Sequence, residues 1–533
     1  MGDTQIYKER ATMIFTQIVK KTDLQAFLAT LSANTSDELT TNEFPIFKFN
    51  EQRVKDKLTD YLEDIKDSVY CFIEYPYVDK LYRDSYYHFF SSRHQTYLRN
   101  TIRVSFFAEN ITPESFRDTK LIESIREQYL GFVVLRPTPP CIIGRSMISP
   151  KALKTNSFLC CLCESNVVVN GIKFSISAFP HSSQDTETIT CAETSVWSCM
   201  EYFGNKYSEY KTILPSSINT AIKEMTSERL LPSRGLTIGW ISYALKTFGF
   251  GTRIYSRDAC PDKKEFQRVL NYYVESGIPL VVSLTKQGAA HAVLFVGHED
   301  NLQNNVFIED NVLLKSANNL LKQISGSIGL NVSNNIIDSA DIPRKYVLID
   351  DNTSPLKVCS FDCPEHYKGT NLDNMNVTAF VVPLYSKIYM EATVARDTIR
   401  SVLNDKRIFG YNSTKDGSVL IYRLFLTSSR SYKKYVAVND MNRDVKDLLI
   451  NSDMPKFIWV AELSNETQYK NSKAIGLILL DATSNNFENV TNSIVLYPGV
   501  LKYETIPYKQ FEMTEFDIYS NNLRGGKQGW KLD

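Results

Sequence analysis

The chain has 533 residues, longer than one hydrophobic core usually spans, so two to four domains are expected. Sixty basic residues balance sixty acidic ones, which excludes the net positive field that drives non-specific phosphate binding, and nucleic acid is not an expected partner. Hydrophobic residues at 43% and charged residues at 23%, with no low-complexity stretch, match an ordinary folded protein, and 30 Tyr with 29 Phe favour strands and large buried side chains.

The opening MGDTQIYKER carries early acidic charge and no apolar h-region, so it does not read as a secretory signal, and Ile6 stands where myristoylation wants Ser or Thr. Apolar runs such as residues 277–284 fall well short of the about 18 residues of a membrane span. A cytoplasmic protein with no membrane contact is expected. Cys160, Cys161 and Cys163 cluster with no His nearby, and Cys359 and Cys363 form a looser pair. Neither matches a zinc spacing, so reduced thiols are expected, with no metal and no cofactor.

The first part, residues 1–175, opens with helical spacing at Ile14, Ile18, Leu24, Phe27, Leu28 and Leu31, then again at Val54, Leu58, Leu62 and Ile65. Residues 68–75 read as a strand, the Tyr-rich stretch from Tyr82 to Tyr97 as helical, and residues 102–107 and 129–135 as strands, before a loop at Pro137, Pro139 and Pro140. From Ile172 the order is strand, loop, helices, strands. Residues 378–533 carry strand-like runs at 379–382, 457–463 and 474–480 and a helix at 390–403, and resemble a separate α+β domain.

A thiol is a useful nucleophile at neutral pH when its anion is stabilised, and a helix N-terminus does this through unpaired N–H groups and the dipole. Thr190 and Glu193 have the spacing of a capping box, which places Cys191 in the first turn of a helix whose stripe runs through Val196, Met200 and Phe203 to a terminator at Gly204. A buried packing thiol is the commoner fate of a cysteine, and Cys199, two turns on, is read that way. Residues 277–284 and 291–298 read as a hairpin about a turn at 286–288, with His291 opening the second strand. In a continuous strand His291 and His298 would face opposite ways, so at most one serves a given site. Residues 346–349 form a later strand ending in Asp350, Asp351 and Asn352, where a carboxylate can orient an imidazole.

Together these segments, residues 191–204, 235–237, 277–279, 291–293, 297–298 and 346–352, resemble the papain-like cysteine peptidase superfamily, and most of all the branch that processes double-glycine bacteriocin leaders. The resemblance covers under 200 residues and implies an α+β, multidomain chain. A central papain-like domain at 176–377, with a helical part carrying Cys and an antiparallel sheet carrying His and Asp, is flanked by α+β domains at 1–175 and 378–533. It implies Cys191 as nucleophile, His291 as base, Asp351 as orienting acid with Asp350 and Asp310 as rivals, and Gln184 as an oxyanion donor beside the Cys191 N–H; the bland reading of Gln184 is a polar loop residue. Where the family often has Gly-Pro after the nucleophile, this chain has Ala192-Glu193.

The expected function is hydrolysis of a peptide or isopeptide bond in a protein or peptide substrate, with a regulatory protein partner as a further expectation. Acyl transfer on the same triad, or a binding protein that kept the fold without turnover, are the alternatives. Retention of Cys191, His291, an Asp and Gln184 together argues against loss of turnover.

Overall fold

The computed structural model describes residues 14–33, 48–300, 336–405, 419–484, 493–502, 512–526 and 529–530, in a mixed α+β architecture. Asp310 lies outside the described residues. No helix among those described is long and apolar enough to cross a membrane.

The first sheet is antiparallel and seven-stranded, in the order Phe15–Lys20, Tyr70–Tyr77, Thr101–Phe107, Tyr129–Leu135, Ile143–Ile148, Ile172–Ser182, Cys163–Val169. Its central strands, TIRVSFF and YLGFVVL, are buried throughout, as continuous apolar runs require. The one charged side chain in them, Arg103, is answered across the pair by Glu74 at 2.7 and 2.5 Å. Gly131 has φ +121°, and a Cβ there would meet the Met147 carbonyl oxygen at 2.0 Å, so only glycine allows the two strands this close. The helix Gln52–Glu63 packs beside the sheet through Val54, Leu58, Tyr61 and Leu62, as its spacing predicts.

Residues 15–20 depart from the expected helix. They pair as an edge strand with Tyr70–Tyr77, and the helix begins only at Leu24. β-Branched Thr16, Ile18 and Val19 suit a strand, and the main-chain bonds to a partner some fifty residues away are invisible to local periodicity. The Tyr-rich stretch is α-helical over Lys80–His88, with a short 3-10 turn at Phe90–Ser92.

The second sheet runs Lys357–Cys359, Tyr346–Ile349, Ala289–Glu299, Leu280–Lys286, Asn376–Tyr385, Phe250–Ser256, and Phe158–Cys161 joins Ala289–Glu299 to Leu523–Gly525. The expected hairpin is present, turning at Gln287 and Gly288. Its side chains alternate between two cores. Val281, Ala292, Leu294 and Val296 pack with Val196 and Met200 of the helix Cys191–Lys206, while Leu280, Val282, Val293 and Phe295 pack with Phe266, Val269 and Leu270 of the helix Lys263–Glu275. The second core continues into a third sheet, through Tyr422, Trp459 and Leu480. Its strands are Ile336–Asp338, Leu420–Ser428, Phe457–Asn465, Gly476–Asp481, Ile494–Tyr497 and Val500–Lys502, and the first of these is parallel to its neighbour.

The expected domain limits both fall inside strands. The 175/176 limit cuts Ile172–Ser182, and the 377/378 limit cuts Asn376–Tyr385, which sits between two other strands of the second sheet. Cores shared across both limits give the physical reason: the flanking segments complete the sheets and faces of the middle of the chain.

Candidate functional site

The strand Ile172–Ser182 leaves the first sheet and enters a short loop that ends at the helix Cys191–Lys206. Asp185 organises that loop: its Oδ1 accepts the N–H groups of Glu187, Thr188 and Ile189 at 2.9, 2.7 and 3.0 Å. Thr190 then takes the N-cap position with the expected capping box, its N–H donating to Glu193 Oε2 at 3.2 Å. Cys191 is the first residue of the helix and is half-buried. Ser233 donates to the other Glu193 oxygen, at 2.5 Å, so the cap also fastens the segment ahead of Thr237. The helix runs two residues past Gly204. A Cβ at Gly204 would meet the Thr212 backbone nitrogen at 2.5 Å, so this glycine serves close packing rather than termination. Cys199 is fully buried, and burial pushes its thiol well above the ordinary range.

His291 lies in the third position of its strand, opposite Leu284, and is 5% exposed. Ser195 of the helix donates to the Ala292 carbonyl at 3.3 Å, which ties the two elements together beside the imidazole. Cys191 is among the neighbours that favour charge on the His291 imidazole. The ring presents Nε2 to Asp350 Oδ1 at 2.9 Å. His298 goes elsewhere, with Nδ1 at 2.7 Å from the Glu299 carbonyl and Nε2 at 3.5 Å from Glu275, after a bulge between Phe295 and Gly297.

Asp350 therefore holds the position expected for Asp351. Asp351 Oδ1 stands 3.5 Å from His291 Nε2, and Asp350 is the nearer, fully buried partner. The pairing of Leu294 with Ile349, continued in register, brings residues 350–352 alongside 291–293. The chain then turns, with Asn352 N–H donating back to Asp350 Oδ1 at 3.0 Å, and this local turn selects the first carboxylate. A strand-end pattern does not resolve a one-residue offset.

Several partners of Asp350 carry no sequence signal. Tyr367 donates to Oδ2 at 2.5 Å, His366 Nε2 lies 3.5 Å from the same oxygen, and His181 Nε2 donates to the Asp350 carbonyl at 2.9 Å. His181 is oriented by Ser146 Oγ at 3.0 Å from Nδ1, and burial pulls its pKa down to about 4, so it is a neutral strut.

Burial works against charge on His291, but the Asp350 carboxylate and its hydrogen bond, with smaller contributions from Cys191 and Asp351, outweigh it and hold the imidazole well above its usual range. For Asp350, burial favours the neutral acid, yet the His291 charge, the hydrogen bonds from His291 and Tyr367 and the nearby His366 hold the carboxyl well below the usual range. Burial first, and the like charge of Asp350, hold Asp351 well above it, against the pull of His291. One negative charge thus sits on Asp350, facing one imidazole.

Gln184 joins the same network. Its Nε2 donates to Asn352 Oδ1 at 3.1 Å, and Asn352 Nδ2 lies 3.2 Å from Asp351 Oδ1 and 3.4 Å from His291 Nε2. The Gln184 carbonyl accepts from Arg136 at 2.9 Å, so the loop is pinned from behind. An amide nitrogen carries two N–H donors, and the bond to Asn352 uses one.

His291, Asp350 and Asp351 are the one group among the described residues whose ligand atoms converge closely enough to hold an ion, within 4.8 Å. The Nε2 that would bind an ion instead faces a carboxylate that only accepts, and a nitrogen donating its proton has no lone pair to coordinate with. The cysteines at 160, 161 and 163 lie buried in and beside the strand Phe158–Cys161 and are not part of such a group. Comparisons with protein-family models, curated proteins and solved structures returned no match, so the site is read from its own geometry.

Proposed function

We propose that the chain is a papain-like cysteine hydrolase that cleaves a peptide or isopeptide bond. The observation that carries this is a half-buried thiol at a capped helix start that acts on the charge of His291, whose Nε2 in turn faces the buried carboxylate of Asp350. With Nε2 donating to Asp350, the other ring nitrogen is the one left to exchange a proton with the thiol, and the ring's raised proton affinity suits it to hold that proton as imidazolium. Cys191 Sγ attacks the carbonyl carbon while His291 takes the thiol proton, and the resulting imidazolium is stabilised by Asp350. The oxyanion is received by the Cys191 N–H and the uncommitted N–H of Gln184, an arrangement worth about 3–4 kcal/mol per donor where measured. Collapse expels the amine, which takes the proton from His291. Water, deprotonated by the same ring, then releases the acyl group and restores the thiol.

Labelling with iodoacetamide at neutral pH tests this. Cys191 is expected to react faster than Cys363, the exposed thiol, and His291→Ala should abolish that advantage. Labelling of Cys191 no faster than Cys363 in the unaltered protein would overturn the reading.

A further inference from the structure

Beside the site lies a cavity of about 190 Å³ whose lining includes Lys57, Tyr61, Cys141, Gln184, Asp351 and Asn352. Two of these residues are almost wholly buried yet keep a polar atom without a hydrogen-bond partner: Asp351, 5% exposed, at Oδ2, and Tyr61, 3% exposed, at its hydroxyl. Ser146 lies beside the Tyr61 hydroxyl, and because it donates to His181 Nδ1 its oxygen stays open to accept from Tyr61, so Asp351 Oδ2 is the atom without a local answer. An orphaned buried polar atom costs about 1–3 kcal/mol, and Asp351 Oδ2 on this cavity marks where a ligand's polar atom belongs.

The chemistry of that ligand follows from the charges around it. Asp350 and Asp351 are consecutive, both face His291 Nε2, and the donors from Tyr367 and the Asn352 N–H go to Asp350. The single imidazole charge is spent on Asp350, which leaves Asp351 best satisfied as a neutral carboxyl, its Oδ1 accepting from Asn352 with one lone pair to spare and its unpartnered Oδ2 able to donate. An anion would meet the Asp350 charge behind Asp351, and a cation would meet Lys57 and find no free carboxylate. A neutral planar group with one donor and one acceptor on the same edge fits. Apolar Pro140, Ile142 and Ile143 line the remainder and suit an aliphatic stem.

We propose that this cavity binds a primary carboxamide, the side chain of a Gln or Asn residue flanking the bond that Cys191 attacks. Its placement next to a scissile bond rests on the hydrolase reading. The carboxamide site does not, and it is tested without Cys191.

Cys141 lines the cavity and is half-buried, whereas Cys363 is exposed and lies outside it, so methanethiosulfonate labelling of Cys141 relative to Cys363, read by peptide mass spectrometry, reports occupancy. Propionamide, propionate and n-propylamine serve as probes of similar size. Propionamide at about twice its dissociation constant is expected to slow Cys141 about threefold, because protection follows one plus the ratio of ligand to Kd. Cys363 should be unaffected, and the other two probes should not protect. Asp351→Asn, which keeps a donor and an acceptor on one edge, should retain the protection, and Asp351→Leu should lose it. No protection by propionamide, equal protection by all three probes, or protection by propylamine alone would overturn the proposal on the unaltered protein, whatever the variants do. Failure of the hydrolase reading appears instead at Cys191.

Discussion

Replacing Asp350 by Asn isolates the charge of the site from its shape. The carboxamide oxygen can still face His291 Nε2 and the Asn352 N–H, now 2.9 and 3.0 Å from Oδ1, and its nitrogen can face the Tyr367 oxygen, now 2.5 Å from Oδ2. The ring therefore keeps its tautomer and orientation, and what is lost is the charge that stabilises the imidazolium. A buried hydrogen bond to a charged group contributes about 1.5–3 kcal/mol, which corresponds to a rate loss of about 10- to 150-fold. Asp351→Asn removes a carboxyl that is already held neutral, and its effect should be the smaller of the two. The assay is the second-order rate of Cys191 alkylation at neutral pH, with Cys363 as internal reference. If Asp351→Asn slows Cys191 as much as Asp350→Asn, the assignment of the charge to Asp350 is wrong.

Stability should respond to pH through the same pair. The depressed Asp350 carboxyl contributes stability above its unfolded value near 3.9, lost as pH falls through the folded value, while the raised His291 contributes stability fully present below about 6.5 and lost as pH rises through its folded value. The urea midpoint difference between the unaltered protein and His291→Ala should thus be largest from about pH 4 to 6.5 and shrink on either side; a difference that grows steadily above pH 7 contradicts the pairing. Gly131→Ala should cost about 3 kcal/mol or more, since its Cβ would overlap the Met147 carbonyl at a positive φ, and a loss under about 0.5 kcal/mol by denaturant titration would refute that contact. Thr190→Ala removes the N-cap and should cost about 1 kcal/mol and slow Cys191 labelling, whereas unchanged labelling would show that the cap does not organise the thiol.

Features written within one element were legible in the amino-acid sequence. Thr190 and Glu193 announced the capped helix and put Cys191 at its start; the apolar runs about Gln287 and Gly288 announced the hairpin carrying His291; Val54, Leu58 and Leu62 announced their helix. Each depends on near neighbours, whose spacing the chain carries directly. The tertiary structure decided what depends on distant partners. The edge strand Phe15–Lys20 exists through its bonds to Tyr70–Tyr77, and the strands Ile172–Ser182 and Asn376–Tyr385 erase the expected domain limits by completing sheets built from remote segments. Asp350 displaces Asp351 because of a turn, together with Tyr367 and His366 beyond it and His181 from the first sheet. Residue type and spacing brought a thiol, an imidazole and a pair of acids to one neighbourhood. Which acid holds the charge follows from burial and from donors to its carboxylate contributed by segments up to 59 residues away, and only the folded chain sets those.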